Sequence, residues 1–391
     1  MKTVLYFQSS LCACNVAELG GAGRFARQAG WRLQVLPCGA AAVCRQRMPK
    51  LSGVRELMAL WQPDGVIVDC GGLAEDVPVK MFARKPLVLL DHSGDVRADA
   101  VVSDAGAIAE VAARALLRLD CQVYGFVPLA PTCSWSARRG EAFEKMIRLS
   151  GGQFVEFGLA NNASPHYRKR LGQWLKALPR PVGLFAANDL VGADVLSCAA
   201  HEGLTVGKDA YVVGVDNDEQ ICETTTPTLS SIRPDYDAAG YAAASLLAER
   251  MAHPRRRFKV LTFGSPALVG RSSTCSFRRG DKRVQNALDL VRRKACDGLT
   301  AIEVVKAMGC SRRLAEMRFR EVTGSSILSA IQGVRLERAI ELLRQDRMPL
   351  SEIARCCGYG STESLRKVFH ARFGLSAQAW RKTLILRDEC E

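Results

Sequence analysis

The last third of the chain carries one short pattern twice, about fifty residues apart. The first copy is Ala301-Ile-Glu-Val-Val-Lys-Ala-Met-Gly-Cys-Ser-Arg-Arg-Leu314, running on to Phe319 and Gly324. The second is Leu350-Ser-Glu-Ile-Ala-Arg-Cys-Cys-Gly-Tyr-Gly-Ser-Thr-Glu363, running on to Phe369 and Gly374. Gly309 answers Gly358, Ser311 answers Ser361 and Phe319 answers Phe369. In each copy an apolar-periodic helix stops at a glycine, a serine stands where an N-cap belongs, and a second amphipathic helix follows. This is helix-turn-helix spacing, and two copies in register commit this third of the chain to short helices. Between them Leu328–Gln345 reads as a connecting amphipathic helix, with Leu328, Ile331, Val334, Ala339, Leu342 and Leu343 as its apolar stripe.

Charge falls on the same third. Residues 1–250 hold 26 Lys+Arg against 26 Asp+Glu, and residues 251–391 hold 28 against 14. A basic module beside a neutral one implies a polyanion partner for that module alone. With 391 residues the chain is too long for one ordinary core.

Residues 1–265 read as alternating strands and helices, with strands expected at Thr3–Phe7, Trp31–Leu36, Gly65–Asp69, Leu87–Asp91, Gln122–Val127, Gly183–Ala187 and Tyr211–Val215. Helical periods such as Ala107–Leu119 and Leu190–His201 lie between them. That rhythm predicts α/β architecture in two doubly wound parallel-sheet subdomains, with the ligand cleft between them beyond the strands' carboxyl ends. Lys259–Phe263 reads as the last strand. Residues 266–283 then read as a basic Gly/Ser/Thr-rich linker, and residues 284–387 as an all-α domain with two helix-turn-helix units.

The start Met-Lys-Thr-Val-Leu-Tyr-Phe-Gln8 has no signal-peptide h-region, and no run approaches a membrane span. A cytoplasmic location with reduced thiols is therefore expected for the fifteen cysteines. Cys12-x-Cys14 and Cys356-Cys357 lack paired zinc spacing, so no metal is expected, and core packing is the reading for Cys356 and Cys357. No cofactor is expected either. Gly21-Ala-Gly-Arg-Phe-Ala26 falls too far after its strand for a dinucleotide fingerprint, and Gly203-Leu-Thr-Val-Gly-Lys208 is one residue short of a P-loop. Catalytic residues are not expected, and an enzyme is the minor alternative.

Residues 183–232, through Gly183-Leu-Phe-Ala-Ala-Asn-Asp-Leu190, Val213-Gly-Val-Asp-Asn-Asp218 and Pro227-Thr-Leu-Ser-Ser-Ile-Arg233, resemble the LacI/GalR-type sensor, itself similar to periplasmic sugar-binding proteins. Residues 290–381 resemble an AraC-type DNA-binding domain, and the order is similar to that of the xylose-operon regulators. Asn188 and Asp216 each follow an apolar strand, where an amide or carboxylate can grip sugar hydroxyls. The resemblance implies a cleft arginine at Arg139, with Arg138 the near alternative, and Trp135 offers a ring to a sugar face. The alternative makes Asn188 and Asp216 turn formers and helix caps, and Trp135 a packing residue. Asp104-Ala105, Ala109, Gly207, Phe263-Gly264 and Ala377 depart from the pattern. The first four groups put the family's ligand in doubt, so a sensor that binds a non-sugar ligand, or none, stays open.

Alignment on the two phenylalanines implies groove-facing residues Arg312, Arg313, Glu316 and Arg320 in the first unit and Thr362, Glu363, Arg366 and Lys367 in the second. Arginine can take guanine O6 and N7 together, and glutamate can accept from cytosine N4. Met317, at the groove edge, reads a thymine methyl or simply packs. The expected protein is a transcription regulator that binds double-stranded DNA as a homodimer and answers to a monosaccharide such as xylose. RNA polymerase is left open as a further partner.

Overall fold

The structure is a computed structural model, and it describes residues 1–37, 51–71, 79–82, 85–91, 98–129, 134–158, 166–264, 266–275, 282–323, 325–344, 348–373 and 375–380. Gly324, Gly374, Gln345, Arg381 and the middle of the expected linker, residues 276–281, lie outside the described residues. The chain divides into two compact units, Met1–Thr274 and Cys275–Glu391.

The first unit has two lobes. In chain order its elements are β1 (Thr3–Gln8), α1 (Ala13–Gln28), β2 (Arg32–Pro37), α2 (Leu51–Trp61), β3 (Gly65–Asp69), β4 (Leu87–Leu90), β5 (Asp99–Ser103), α3 (Ala105–Leu117), β6 (Val123–Val127), α4 (Ser134–Leu149), β7 (Phe154–Glu156), α5 (Tyr167–Ala177), β8 (Val182–Ala186), α6 (Asp189–His201), β9 (Ala210–Val215), α7 (Glu219–Thr224), β10 (Ser230–Arg233), α8 (Tyr236–Ala252), β11 (Val260–Phe263) and β12 (Ala267–Val269). Their order across the first sheet is β11-β5-β4-β3-β1-β2, and across the second β12-β10-β9-β8-β6-β7. The central strands β3, β6, β8 and β9 are buried at every residue, because helices cover both sheet faces.

Three chain segments cross between the lobes, at Asp104, at Pro234-Asp235 and after Phe263. The first two end in helix caps: Asp104 accepts from Ala107 N at 2.9 Å and Asp235 from Ala238 N at 3.2 Å. The helix following the second crossing, α8, lies against α1 at backbone distance. A Cβ on Gly240 would sit 1.7 Å from the Glu18 carbonyl oxygen, and one on Gly21 would sit 1.9 Å from that of Asp237. Only glycine at both positions permits that approach.

The basic run after α8 belongs to the first lobe. Arg250 and Arg256 each pair with both carboxylate oxygens of Asp99, at 2.7–3.0 Å, and Asp99 is fully buried. Burial opposes the Asp99 charge, but the two guanidiniums outweigh it and hold its pKa below the ordinary value.

The stretch 266–283, expected to be a linker, begins instead as sheet. β12 pairs antiparallel with β10, so the second sheet is not wholly parallel. The serines that follow dock by their hydroxyls: Ser273 Oγ donates to Val212 O at 2.6 Å and accepts from Ser230 N at 2.8 Å. Arg271 is buried and donates to Asn217 Oδ1 at 2.9 Å and Leu229 O at 3.1 Å. A Gly/Ser/Thr-rich composition reads as linker because it lacks apolar periodicity, and here hydrogen bonds to the sheet replace that signal.

Among the described residues the second unit is helical: α9 (Lys282–Lys294), α10 (Ala301–Met308), α11 (Arg312–Thr323), α12 (Ile327–Arg344), α13 (Leu350–Cys356) and α14 (Thr362–Phe373). It holds two cores. Phe319 anchors the first with Val284, Val291, Val304 and Met308; Phe369 anchors the second with Ile353, Cys357 and Leu365. The α12 helix serves both, giving Ile327 and Ile331 to one and Leu336, Ala339, Leu342 and Leu343 to the other. Leu328, expected on that stripe, is exposed, because Ile327 holds the position one turn before Ile331. Cys357 packs as expected, whereas Cys356 is exposed.

Two glycines, Gly240 of α8 and Gly23 of α1, separate the close-approach argument from general helix propensity. Gly240→Ala is expected to destabilise the first unit by about 1–3 kcal/mol. Gly23→Ala, where a Cβ meets only the flexible Arg27 guanidinium at 3.7 Å, is expected to be neutral or stabilising by up to about 1 kcal/mol. Urea unfolding of the two variants measures the difference, and equal effects would sink the account.

Candidate ligand cleft and nucleic-acid interface

In both sheets the chain reverses direction of travel next to one strand pair, β1/β3 in the first and β6/β8 in the second. The crevice beyond the carboxyl ends of such strands is where an open α/β sheet leaves room for a ligand. Eight of the buried polar residues collect there. The first lobe supplies Ser9, Asn15, Glu18 and Asp69, and the second supplies Ser136, Arg139, Asn188 and Asp189.

Arg139, on the first turns of α4, is 3% exposed, and its Nη1 donates to Ala187 O at 2.7 Å. Its guanidinium lies 4.6 Å from the centre of the Trp135 ring. Burial works against the charge, but Tyr236, Asp216 and Asp91 outweigh it and raise the pKa. Its Nε has no hydrogen-bond partner among the described residues. Arg138, the near alternative, is half-buried, with Nε and Nη2 likewise unpartnered.

Asp216 follows β9 with φ 106, a backbone conformation L residues rarely adopt. Its N–H donates to Ile232 O at 2.8 Å, and its carboxylate accepts from the Tyr236 hydroxyl at 2.6 Å. Burial lifts its pKa from 3.8 to about 6, against the pull of Arg139 and Tyr236. Tyr236 begins α8, so this contact joins the end of a second-lobe strand to a first-lobe helix. Trp135 makes another such link, donating from Nε1 to Gly71 O at 3.1 Å.

Asn188 is the N-cap of α6, its Oδ1 accepting from Val191 N at 3.0 Å. The cap occupies its carbonyl oxygen and leaves the amide NH2 for other partners. Asp189 accepts from Asp218 N at 2.8 Å, Ser231 Oγ at 2.5 Å and Cys222 Sγ at 3.3 Å; burial lifts its pKa to about 8. Asp218 caps α7 through Gln220 N at 3.0 Å. These two aspartates hold the loop that carries Asp216.

Sequence reading missed Tyr236, Asp69 and Asp91. Asp69 and Asp91 each close an apolar strand as Asp216 does, and the same rule applied to β3 and β4 finds them. Asp69 accepts from Ser9 N at 3.0 Å, Gly71 N at 3.0 Å and Asn15 Nδ2 at 2.8 Å, and burial still lifts its pKa to about 6. Among the described residues no cluster of three His, Cys, Asp or Glu side chains can hold a metal ion.

In the second unit, Thr300 and Glu303 form a capping box at α10, and Gly309 and Gly358 take φ 60 and 72 at the turns. Ser311 Oγ accepts from Leu314 N at 3.4 Å and Ser361 Oγ from Ser364 N at 3.1 Å, so each serine caps its second helix. On α11, Arg312, Arg313, Met317 and Arg320 are exposed. Glu316 is half-buried and accepts from Ile327 N at 3.4 Å, at the start of α12, so it braces that helix. On α14, Glu363, Arg366 and Lys367 are exposed, Thr362 is half-exposed, and Glu363 and Arg366 lie 3.6 Å apart. His370, exposed at the register position of Arg320, was not foreseen.

The family model of a periplasmic binding protein-like domain matches residues 100–274, and that of a helix-turn-helix domain matches residues 304–383. The xylose operon regulatory protein of Escherichia coli K12 is 28% identical over 250 residues, 63% of this chain and 64% of that protein. The matched region thus spans less than two thirds of that relative's length. A solved structure of the xylose-binding transcription activator xylR superposes with a TM-score of 0.59 at 23% identity, covering 98% of each chain. The transcriptional regulator CelR in complex with cellobiose superposes with a TM-score of 0.57 at 18% identity, covering 70% of this chain and 84% of that one. No helix among the described residues is long and apolar enough to cross a membrane. The chain therefore joins a periplasmic-binding-protein-like domain to a helix-turn-helix domain.

Proposed function

We propose that the chain is a ligand-responsive, sequence-specific DNA-binding transcription regulator whose cleft takes a monosaccharide, with xylose the first to test. The observation that carries it is the group of buried Arg139 and Tyr236 with half-buried Asp216, where two lobes and a crossing segment meet. A polyhydroxyl ligand fits that group because hydroxyls both donate to carboxylates and accept from a guanidinium. The curated relative is named for the xylose operon and two structural relatives for xylose and cellobiose, which supports the same reading. Asn188 through its amide and Trp135 through its ring complete the proposed contacts.

Closure of the lobes around ligand would shift the population of states that place two protomers' helix-turn-helix units on their half-sites. The protein would then act as a cytoplasmic homodimer, and contact with RNA polymerase belongs to its activating form if it has one. Arg312, Arg313, Arg320, Thr362, Glu363, Arg366 and Lys367 are the proposed groove residues, with Met317 and His370 added by exposure. Glu316 contributes indirectly, through α12.

A thermal-shift screen against pentoses and hexoses tests the sensor, since a ligand at a hundredfold excess over Kd stabilises by about 2.7 kcal/mol. No shift with any sugar, in protein that binds DNA, would overturn sugar sensing. Asp216→Asn is expected to abolish the shift and leave DNA binding intact. It removes a charge that is unfavourable above pH 6, so the variant should match the parent at pH 4 and exceed its stability at pH 7. The parent's carboxyl binds its proton more tightly folded than unfolded, so its stability contribution falls as pH rises from 3.8 to about 6.

A sugar that pairs with ionised Asp216 displaces that proton. Ligand affinity is therefore expected to rise with pH up to about 6 and level off above it. Calorimetry at pH 5.5 in buffers of different ionisation enthalpy reads the proton released; none released means Asp216 does not touch the ligand. On the DNA side, Arg313→Ala or Arg366→Ala should weaken specific binding by about 1–3 kcal/mol and leave the sugar response unchanged. Loss of both together in a folded variant would contradict the division of labour.

A further inference from the structure

Two thiols on the first-lobe wall of the cleft have no part in the reading above. Cys12 is the N-cap of α1, with φ −67 and ψ 160, and Cys14 lies in the first turn. Residues two apart on a helix face different ways. The extended backbone at the cap turns Cys12 back over the turn, so the two Sγ atoms stand 3.1 Å apart as free thiols. Both side chains are half-buried. Ser10 Oγ donates to Cys12 Sγ at 3.0 Å, and Asn15 Oδ1 accepts from Cys12 at 2.5 Å and from Cys14 at 3.6 Å. The same Asn15 donates to Asp69, and the charge of Asp216 acts on both thiols.

We propose that Cys12 and Cys14 form an oxidisable dithiol whose conversion to a disulfide by a hydroperoxide switches the cleft to a low-affinity state. The Cys12 thiolate attacks one peroxide oxygen and breaks the O–O bond; the other oxygen leaves with a proton as alcohol or water. Cys14 then attacks the sulfenic sulfur of Cys12, the S–O bond breaks, and hydroxide takes the Cys14 proton to leave as water. The two thiols lose two electrons and two protons, and the peroxide is reduced by the same two electrons. The split in thiol character suits the roles. Contact with Cys14, opposed by burial and helped by Ser10 and Asn15, lowers the Cys12 pKa, while Cys14 is raised by the same contact and by burial. Oxidation removes both thiol donors from Asn15 Oδ1 and draws the first turn of α1 together, displacing the side chain that braces Asp69.

The effect on affinity rests on the sensor reading; the disulfide does not, and the experiment separates them. The full chain is treated with limiting hydrogen peroxide, alkylated and digested with trypsin; residues 3–24 form one peptide holding only these two cysteines. The expected peptide is lighter by two hydrogens, with both cysteines blocked from alkylation, and Cys12→Ser and Cys14→Ser each abolish this product. An unchanged peptide, or one that gains oxygens while exposed Cys356 reacts first, overturns the proposal. The D-xylose thermal shift, lost on oxidation and restored by dithiothreitol, supports the switch; a shift that survives disulfide formation overturns it. If the reduced protein gives no shift with D-xylose, the sensor reading fails on that ligand, and amide exchange in the first turn of α1 becomes the readout. Altered exchange on oxidation then supports the switch, and unaltered exchange overturns it.

Discussion

The cleft depends on a contact with no side chain in it. Gly21 and Gly240 let α1 and α8 touch backbone to backbone, and that approach fixes where α8 begins. Its first residue is Tyr236, whose hydroxyl reaches Asp216 at the end of a strand in the other lobe. Two missing Cβ atoms thus decide the position of a phenol about one helical turn from Gly240. A buried polar network is stabilising only when its members are satisfied together, so the geometry that brings them together is a condition of the fold as well as of binding.

The cleft is assembled against electrostatic preference. Asp69 and Asp216 both stand near 6 and Asp189 near 8, each lifted chiefly by burial. Among the described residues the guanidinium of Arg139 faces this surplus at Asp216. A ligand rich in hydroxyls supplies the donors that an apolar ligand cannot, and the free energy it recovers is available to favour one arrangement of the lobes over another. The strained backbone at Asp216 belongs to the same pattern, in which local cost is held by surrounding structure at a candidate binding site.

Much of this was legible in the residues. Strand-helix alternation gave two sheets, and the glycine-then-serine turns gave both second helices with their serine caps where Ser311 and Ser361 now accept. What escaped had weaker local signals. Arg256 lies in a run of three arginines with no apolar periodicity, yet it neutralises a buried aspartate more than 150 residues earlier in the chain. Ser272 and Ser273 read as flexible composition, yet both are fully buried. Glu316 reads as a groove residue by register and instead braces the next helix, because its neighbour α12 starts within reach. Polarity alone does not say whether a side chain faces water, DNA or another part of the chain.

The shared helix α12 has a consequence for the proposed nucleic-acid partner. It supplies side chains to both helix-turn-helix cores, and its Arg335 donates to Ala295 O at 2.8 Å and Leu299 O at 2.9 Å while lying over the Tyr359 ring. The turn at Gly358 presses close enough to Cys296 O that a Cβ would sit 2.6 Å away. The two reading heads are therefore one rigid gauge, not beads on a string. A spacer lengthened by one base pair rotates its second target by about a tenth of a turn around the duplex axis. A gauge of this kind cannot follow that rotation, so an operator of the kind proposed would be defined by helical phase as much as by its letters.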